Sequence, residues 1–284
     1  MSNIDKIIKT KLQYLNDNGV NTSLFEIKLL LADVLDINIS DLAFYKSELT
    51  NDQEKKFDKY IEMRKKFCPV DKILGKKYFY KLEFEVNRDV LSPRYDTEIL
   101  IEETLRLFNL NDKIEILEFG TGSGCIVISL LDELKNAKAT GVDISKKALE
   151  ITKKNATTNN VLNRLDLLNA SWFDNDIQNK IPQKFDLIIS NPPYIPTKDI
   201  ETLNNEVKNF DPIIALDGGE DGFRDYIKIC EHAQKMLKNN GYLVFELGIN
   251  QADNVIKIAK EKNLNLVNTF KDYNNIERCV IFKK

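Results

Sequence analysis

The sequence predicts an α/β protein in two parts: a small helical N-terminal domain and a larger domain on a seven-stranded, mostly parallel sheet. Three observations predict it. From about residue 95, strand-length apolar runs alternate with helix-length segments, the pattern of a parallel sheet with crossover helices. The first seventy residues instead carry apolar side chains at helical spacing. Between them, residues 78–86 alternate, with Tyr80, Leu82, Phe84 and Val86 against Lys81, Glu83 and Glu85. That alternation predicts a strand, half of a hairpin bridging the two parts. The expected boundaries are 1–72 for the helical domain, 73–94 for the hairpin linker and 95–284 for the sheet domain.

In the first domain, Ile4, Ile7, Ile8, Leu12 and Leu15 form one helical face, which Asn16-Asp17-Asn18-Gly19 ends. Thr22 and Ser23 offer an N-cap, with Glu26 following, ahead of Leu29, Leu30, Leu31, Val34 and Leu35. A short helix near Ser40–Tyr45 and a longer one from Asn51 to about Lys66 follow, and Pro69 stops the last. In the second domain, strands are expected near 113–118, 138–142, 164–168, 185–190, 241–247, 264–270 and 276–283. Ser145 caps a helix from Lys146 to about Thr157.

Composition narrows the function classes. The 284 residues are 43% hydrophobic and 30% charged, which fits a soluble globular protein with two cores. No apolar run reaches membrane length, and Met1-Ser2-Asn3-Ile4-Asp5-Lys6 has no signal-peptide layout, so a cytoplasmic protein is expected. Cys68, Cys125, Cys230 and Cys279 show no metal spacing and read as reduced thiols. A single histidine, His232, argues against a metal site or a catalytic triad and reads as structural. Net charge is −3, which does not favour nucleic acid. Residues 55–81 nevertheless hold ten Lys/Arg against three acids, a local +7. That stretch reads either as a solvated face or as a docking surface for an acidic protein or RNA.

The chemistry is concentrated in Asn191-Pro192-Pro193-Tyr194, which follows the apolar run Phe185–Ser190. Two prolines end any sheet ladder and hold the preceding residue extended. Asn191 is thereby fixed at the carboxyl end of a strand, where open α/β sheets place ligands. Its side-chain carbonyl and the Pro192 backbone carbonyl can accept both hydrogens of a planar NH2 group, and Tyr194 can pack on that plane. A plain turn with a satisfied Asn remains the simpler reading of these four residues alone.

Upstream, the strand ending at Glu118-Phe119 runs into Gly120-Thr121-Gly122-Ser123-Gly124 and then an apolar helix. This is a nucleotide-binding start. A dinucleotide fingerprint would place its third glycine one position later, where Cys125 stands, and no P-loop lysine follows. Glu118 would repel a pyrophosphate but suits an ammonium. Asp143, at the end of the next strand, can accept from ribose hydroxyls. Singly, Glu118 also reads as a solvated strand end, Asp143 as a helix cap and the glycines as a turn. Together they describe an adenosine-type ligand carrying an amino-acid cation, which S-adenosylmethionine satisfies.

These residues resemble a class I S-adenosylmethionine-dependent methyltransferase with a Rossmann-like sheet, and more closely the release-factor glutamine methyltransferases, the PrmC or HemK family. Further motifs carry the resemblance. Pro69-Val70-Asp71-Lys72-Ile73-Leu74-Gly75 with Tyr78-Phe79-Tyr80 is similar to the family's hinge. Ser92-Pro93-Arg94-Tyr95-Asp96-Thr97-Glu98 is similar to its "IPRPDTE" segment. Ala215-Leu216-Asp217-Gly218-Gly219-Glu220-Asp221-Gly222 matches the loop after the fourth strand, and Asn275-Ile276-Glu277-Arg278 the C-terminal signature. The chain departs from the pattern at Ser92, Tyr95, Lys72 and Lys81. It departs also at Ser171, where an acid commonly precedes the tryptophan and would help hold the adenine. Trp172 can pack on that adenine or serve as ordinary core.

The resemblance implies methylation of the glutamine in the Gly-Gly-Gln loop of class 1 release factors, giving N5-methylglutamine and S-adenosylhomocysteine. It implies a catalytic set of Asn191, Pro192 and Tyr194. It implies cofactor contacts from Glu118, Gly120, Thr121, Gly122, Ser123, Gly124, Asp143, Trp172 and Asn191. Asn191, Pro192, Pro193, Tyr194 and Arg94 would meet the substrate. No metal, membrane or nucleic-acid partner is expected, and the chain is expected to be a monomer. Rival readings are a ribosomal-protein glutamine, adenine N6, or a non-catalytic adapter. The residues themselves specify only a planar NH2.

Overall fold

A computed structural model describes residues 3–284; Met1 and Ser2, part of the segment read for a leader, lie outside the described residues. The chain divides into two compact units. One runs to Gly75 and also takes in Asn204–Phe210; the other holds Lys76–Leu203 and Asp211–Lys284.

The first unit is helical. It contains α1 (Asn3–Asp17), α2 (Leu24–Leu35), α3 (Asn51–Lys65) and α4 (Val70–Leu74). Ser23 closes the expected capping box: its Oγ accepts from the Glu26 N–H at 3.1 Å, and Glu26 Oε2 accepts from the Ser23 N–H at 2.7 Å. The segment expected as a short helix near Ser40 is a 3-10 helix, Ile39–Phe44. Ile4, Ile8, Leu15, Leu30, Leu31, Phe57 and Ile61 form the core. Each such side chain contributes about 1.5–3 kcal/mol by leaving water.

The basic stretch is not one free face. Arg64 is 1% exposed and pairs with Glu206 at 2.6 Å inside this unit. Lys56 pairs with Asp33 at 3.0 Å, and Lys65 donates to the Tyr14 hydroxyl at 2.8 Å.

The second unit begins with a hairpin, β1 (Lys76–Phe79) and β2 (Leu82–Glu85). Its left-handed turn residue is Tyr80, φ 55°. Asn155 fastens the hairpin to this unit, accepting from the Glu85 N–H at 2.7 Å and donating to the Glu85 carbonyl at 3.0 Å. There follow α5 (Glu98–Leu105), β3 (Glu115–Phe119), α6 (Cys125–Glu133), β4 (Lys138–Asp143) and α7 (Lys146–Thr158). Next come β5 (Leu165–Asn169), α8 (Ile177–Lys180) and β6 (Phe185–Ser190). After α9 (Asn205–Phe210), which groups with the first unit, come α10 (Arg224–Met236), β7 (Leu237–Glu246) and α11 (Ala252–Glu261). β8 (Asn265–Lys271) and β9 (Glu277–Lys283) complete the sheet.

The sheet order is β5-β4-β3-β6-β7-β9-β8. Strands β3 to β7 run parallel, and β9 is antiparallel to both its neighbours. The order reverses at β3, which has β4 on one side and β6 on the other. That reversal opens a crevice at the carboxyl edge, where such sheets bind ligands. Two apolar layers cover the sheet, one including Phe119, Ile188 and Phe245, the other Ile116, Ile189 and Val244. No helix among the described residues is long and apolar enough to cross a membrane.

Candidate active site

Strand register sets out the site. Phe119 of β3 pairs with Val142 of β4 and with Ser190 of β6, and Ser190 pairs with Phe245 of β7. The next residue on each strand therefore stands at one level: Asp143, Gly120, Asn191 and Glu246. A cavity of about 440 Å³ opens along this edge. Its wall brings together Glu118, Gly120, Thr121, Gly122, Ser123, Asp143, Trp172, Asn191, Pro193 and Arg94, all singled out from the sequence.

Gly124, Pro192 and Tyr194 are not on that wall. Gly124 begins α6 at φ +81°, and an added Cβ would lie 2.7 Å from Ile128 and 2.8 Å from Thr152. It shapes the loop from behind. Pro192 is buried. Tyr194 aims its hydroxyl at Glu246 Oε1, 3.5 Å away, and its phenol is held well above the usual range by burial and by the Glu246 charge. It stays protonated and cannot serve as a base.

Glu118 is 1% exposed, and its Oε2 has no hydrogen-bond partner. Burial, and then the neighbouring Asp143, push its carboxyl well above the carboxylate range. The Val127 N–H serves this carboxyl, but a buried oxygen left unpartnered on a cavity wall suits a cationic ligand. Asp143 is busier than expected. Its Oδ2 accepts from the Gly122 N–H and its Oδ1 from the Ser145 N–H, both at 2.8 Å. It splints the glycine loop and still has lone pairs for a hydroxyl. Burial raises its pKa, against these two hydrogen bonds.

Trp172 is both core and wall. Its ring lies over Gly120, where an added Cβ would be 3.6 Å from the indole. Its Nε1 donates to Asp225 Oδ1 at 2.8 Å. The Trp172 carbonyl lies 2.6 Å from His232 Nε2, and burial depresses the histidine pKa, so a neutral ring donates there. Ser171 Oγ accepts from the Phe173 N–H at 3.0 Å, closing a small turn rather than offering an acid.

Sequence reasoning missed four supporting residues: Asp225, Thr97, Glu246 and Gln251. Asp225 lines the cavity and anchors the indole. Thr97, inside the Ser92–Glu98 segment, lines it too and donates to Glu246 Oε2 at 2.6 Å. Gln251 Nε2 donates to the Tyr194 carbonyl at 2.9 Å. No local pattern marks these residues; their partners lie 52 to 149 positions away for Asp225, Thr97 and Glu246.

The loop after α9 clamps the Asn-Pro-Pro-Tyr backbone. Ile195 N–H donates to the Leu216 carbonyl at 3.0 Å and Gly218 N–H to the Ile195 carbonyl at 2.9 Å. At Gly222, φ +83°, an added Cβ would sit 2.5 Å from the Tyr194 carbonyl oxygen. Gly222→Ala is therefore expected to cost at least about 1–2 kcal/mol, the left-handed penalty alone, and to lower turnover as the motif shifts. Urea unfolding beside an activity assay checks this; unchanged stability and turnover would remove the loop's clamping role.

The comparisons with known proteins agree with this geometry. Residues 110–282 match a methyltransferase domain model and residues 7–75 a PrmC N-terminal domain model. A release factor glutamine methyltransferase of Fusobacterium nucleatum is 38% identical over 99% of this chain and 79% of its own length. A bifunctional methyltransferase of Rickettsia felis is 36% identical over 98% of this chain, which spans 58% of that relative. A methyltransferase structure from Pyrococcus furiosus, at 20% identity, covers 72% of this chain and 89% of its own with a TM-score of 0.51, a likeness of fold. The chain belongs to the release factor glutamine methyltransferase family.

Proposed function

We propose that this protein methylates the side-chain amide nitrogen of the glutamine in the Gly-Gly-Gln loop of class 1 release factors, giving N5-methylglutamine. The methyl donor is S-adenosylmethionine and its product S-adenosylhomocysteine. The protein acts as a cytoplasmic monomer. One observation carries the reading: Asn191 stands one strand away from a glycine loop backed by Glu118, a buried carboxyl with one unpartnered oxygen. The residues fit the donor. Glu118 would hold its ammonium, Asp143 its ribose, and Trp172 would pack on its adenine. Bound there, S-adenosylmethionine supplies an electrophilic methyl on a sulfonium.

An amide nitrogen is a poor nucleophile, because its lone pair is delocalised into the carbonyl. Asn191 Oδ1, on the cavity wall, would accept from its N–H groups and hold it in line with the methyl. Those contacts strengthen as positive charge develops on nitrogen, which lowers the barrier rather than merely tightening binding. The proton leaves to solvent after transfer, so no strong base is assigned. Arg94, paired with Asp211 at 2.7 Å, would face the incoming loop.

The test is transfer of radiolabelled methyl to purified release factor, beside a variant whose Gly-Gly-Gln glutamine is alanine. Label on the wild-type factor alone establishes reaction and residue. Label on ribosomal protein or DNA instead overturns the substrate.

A further inference from the structure

We propose that Glu246 is a positioning residue that orients the Asn191 side-chain amide, so that its carbonyl oxygen and not its NH2 faces the substrate nitrogen. This deepens the reading of Asn191 as the substrate's acceptor and rests on it. An asparagine amide is nearly symmetric in shape but opposite in polarity at its two ends. A site that must accept N–H bonds needs one end pinned. The Asn-Pro-Pro-Tyr backbone fixes where Asn191 stands, but not which way its amide is turned.

Glu246 is placed to do this. It follows Phe245, the register partner of Ser190, so it flanks Asn191 on the next strand. It is 2% exposed. Its side-chain contacts come from donors: Thr97 Oγ1 to Oε2 at 2.6 Å, the Tyr194 hydroxyl toward Oε1 at 3.5 Å, and the Asn191 amide. The Tyr226 hydroxyl secures its backbone carbonyl at 2.8 Å. Such surroundings suit an ionised carboxylate, which only accepts. An ionised Glu246 takes the Asn191 NH2 and leaves Oδ1 turned outward. A protonated Glu246 can donate to Oδ1 instead, and the amide is free to turn the wrong way.

The charged and titratable groups around it are few. Arg278 favours the ionised form and Asp96 opposes it. Tyr194, Tyr226, Cys125 and Cys279 face it as neutral groups, each raised by burial. Burial is the largest influence on Glu246 and pushes it up to about 7. Its ionised fraction therefore falls as pH drops through neutrality, and turnover should fall with it.

The experiment measures kcat for methyl transfer to a release factor, and separately the Kd for S-adenosylmethionine, from about pH 5.5 to 9. Wild type, Glu246→Gln and Glu246→Asp are compared. Wild-type kcat is expected to rise with pH through about 7. Glu246→Gln should lose about tenfold or more in kcat at the alkaline end and show no such limb, with cofactor Kd unchanged. Glu246→Asp keeps a carboxylate and should recover part of kcat and the limb. Wild-type kcat in Glu246→Gln, or a limb that survives in it, overturns the proposal. So does a loss of cofactor affinity in step with kcat in both variants, the mark of a merely structural residue. Absence of transfer by the wild type would instead overturn the substrate reading.

Discussion

Asn191→Ala is expected to lower methyl transfer by about 10²–10³-fold, the scale of removing one preorganised polar group from a reacting centre. The cofactor Kd should change little, because Glu118, the glycine loop, Asp143 and Trp172 remain. The size of the loss follows from where Asn191 stands. Its backbone is fixed by two prolines, by the register of Ser190 and by the loop clamped at Ile195, so no neighbour can move in to replace it. Asn191 lines the cavity, whereas Pro192 and Tyr194 do not. A truncated side chain leaves a space that water can fill, but water does not hold the substrate nitrogen in line. Single-turnover kinetics beside calorimetric titration separates the two quantities. Turnover at the wild-type rate would take Asn191 out of the mechanism.

Asp143→Ala is expected to weaken cofactor binding by about 1.5–3 kcal/mol, roughly 10–100-fold in Kd. Two losses combine. The ribose contact disappears, and so do the hydrogen bonds that hold Gly122 and Ser145. The second loss leaves two backbone N–H groups without their acceptor, so the loop's shape is expected to loosen as well. Removing Asp143 also takes away a like charge that pushes Glu118 up. Glu118 then ionises more readily, which limits the damage at the ammonium end. Titration of wild type and variant at fixed pH measures the balance. An unaltered Kd would take Asp143 out of cofactor binding.

Much of the fold was legible because strand and helix periods are local. Each of the seven sheet strands falls within four residues of its expected start, the largest difference being β7, which begins at Leu237 rather than near 241. The glycine loop and Asn191 were legible for a related reason: both are marked by backbone demands that only certain residues meet. What stayed hidden depends on distant partners. Arg64 belonged to a run of basic residues, yet it is buried against Glu206, 142 positions on. The grouping of Asn204–Phe210 with the first unit has no local signature either. Tyr194 read as a stacking face, because its neighbours in sequence are at the site. In the fold its hydroxyl lies 3.5 Å from Glu246 Oε1, a partner 52 positions on. Thr97 sat within a matched segment without a task until Glu246 appeared beside it. A carboxylate at the end of an apolar strand looks the same in sequence whether it is solvated or sealed.

The level on which Asp143, Gly120, Asn191 and Glu246 stand is measured out by backbone pairing between four adjacent strands. A side chain can be trimmed without disturbing that measure, but loosened pairing cannot be repaired by any side chain. Catalysis should then be a more sensitive gauge of tertiary order than helix content. Under mild acid or low denaturant, where compact states keep their secondary structure while packing fluctuates, the enzyme should fall silent first. Its far-ultraviolet circular dichroism would still look native at a point where methyl transfer has already stopped.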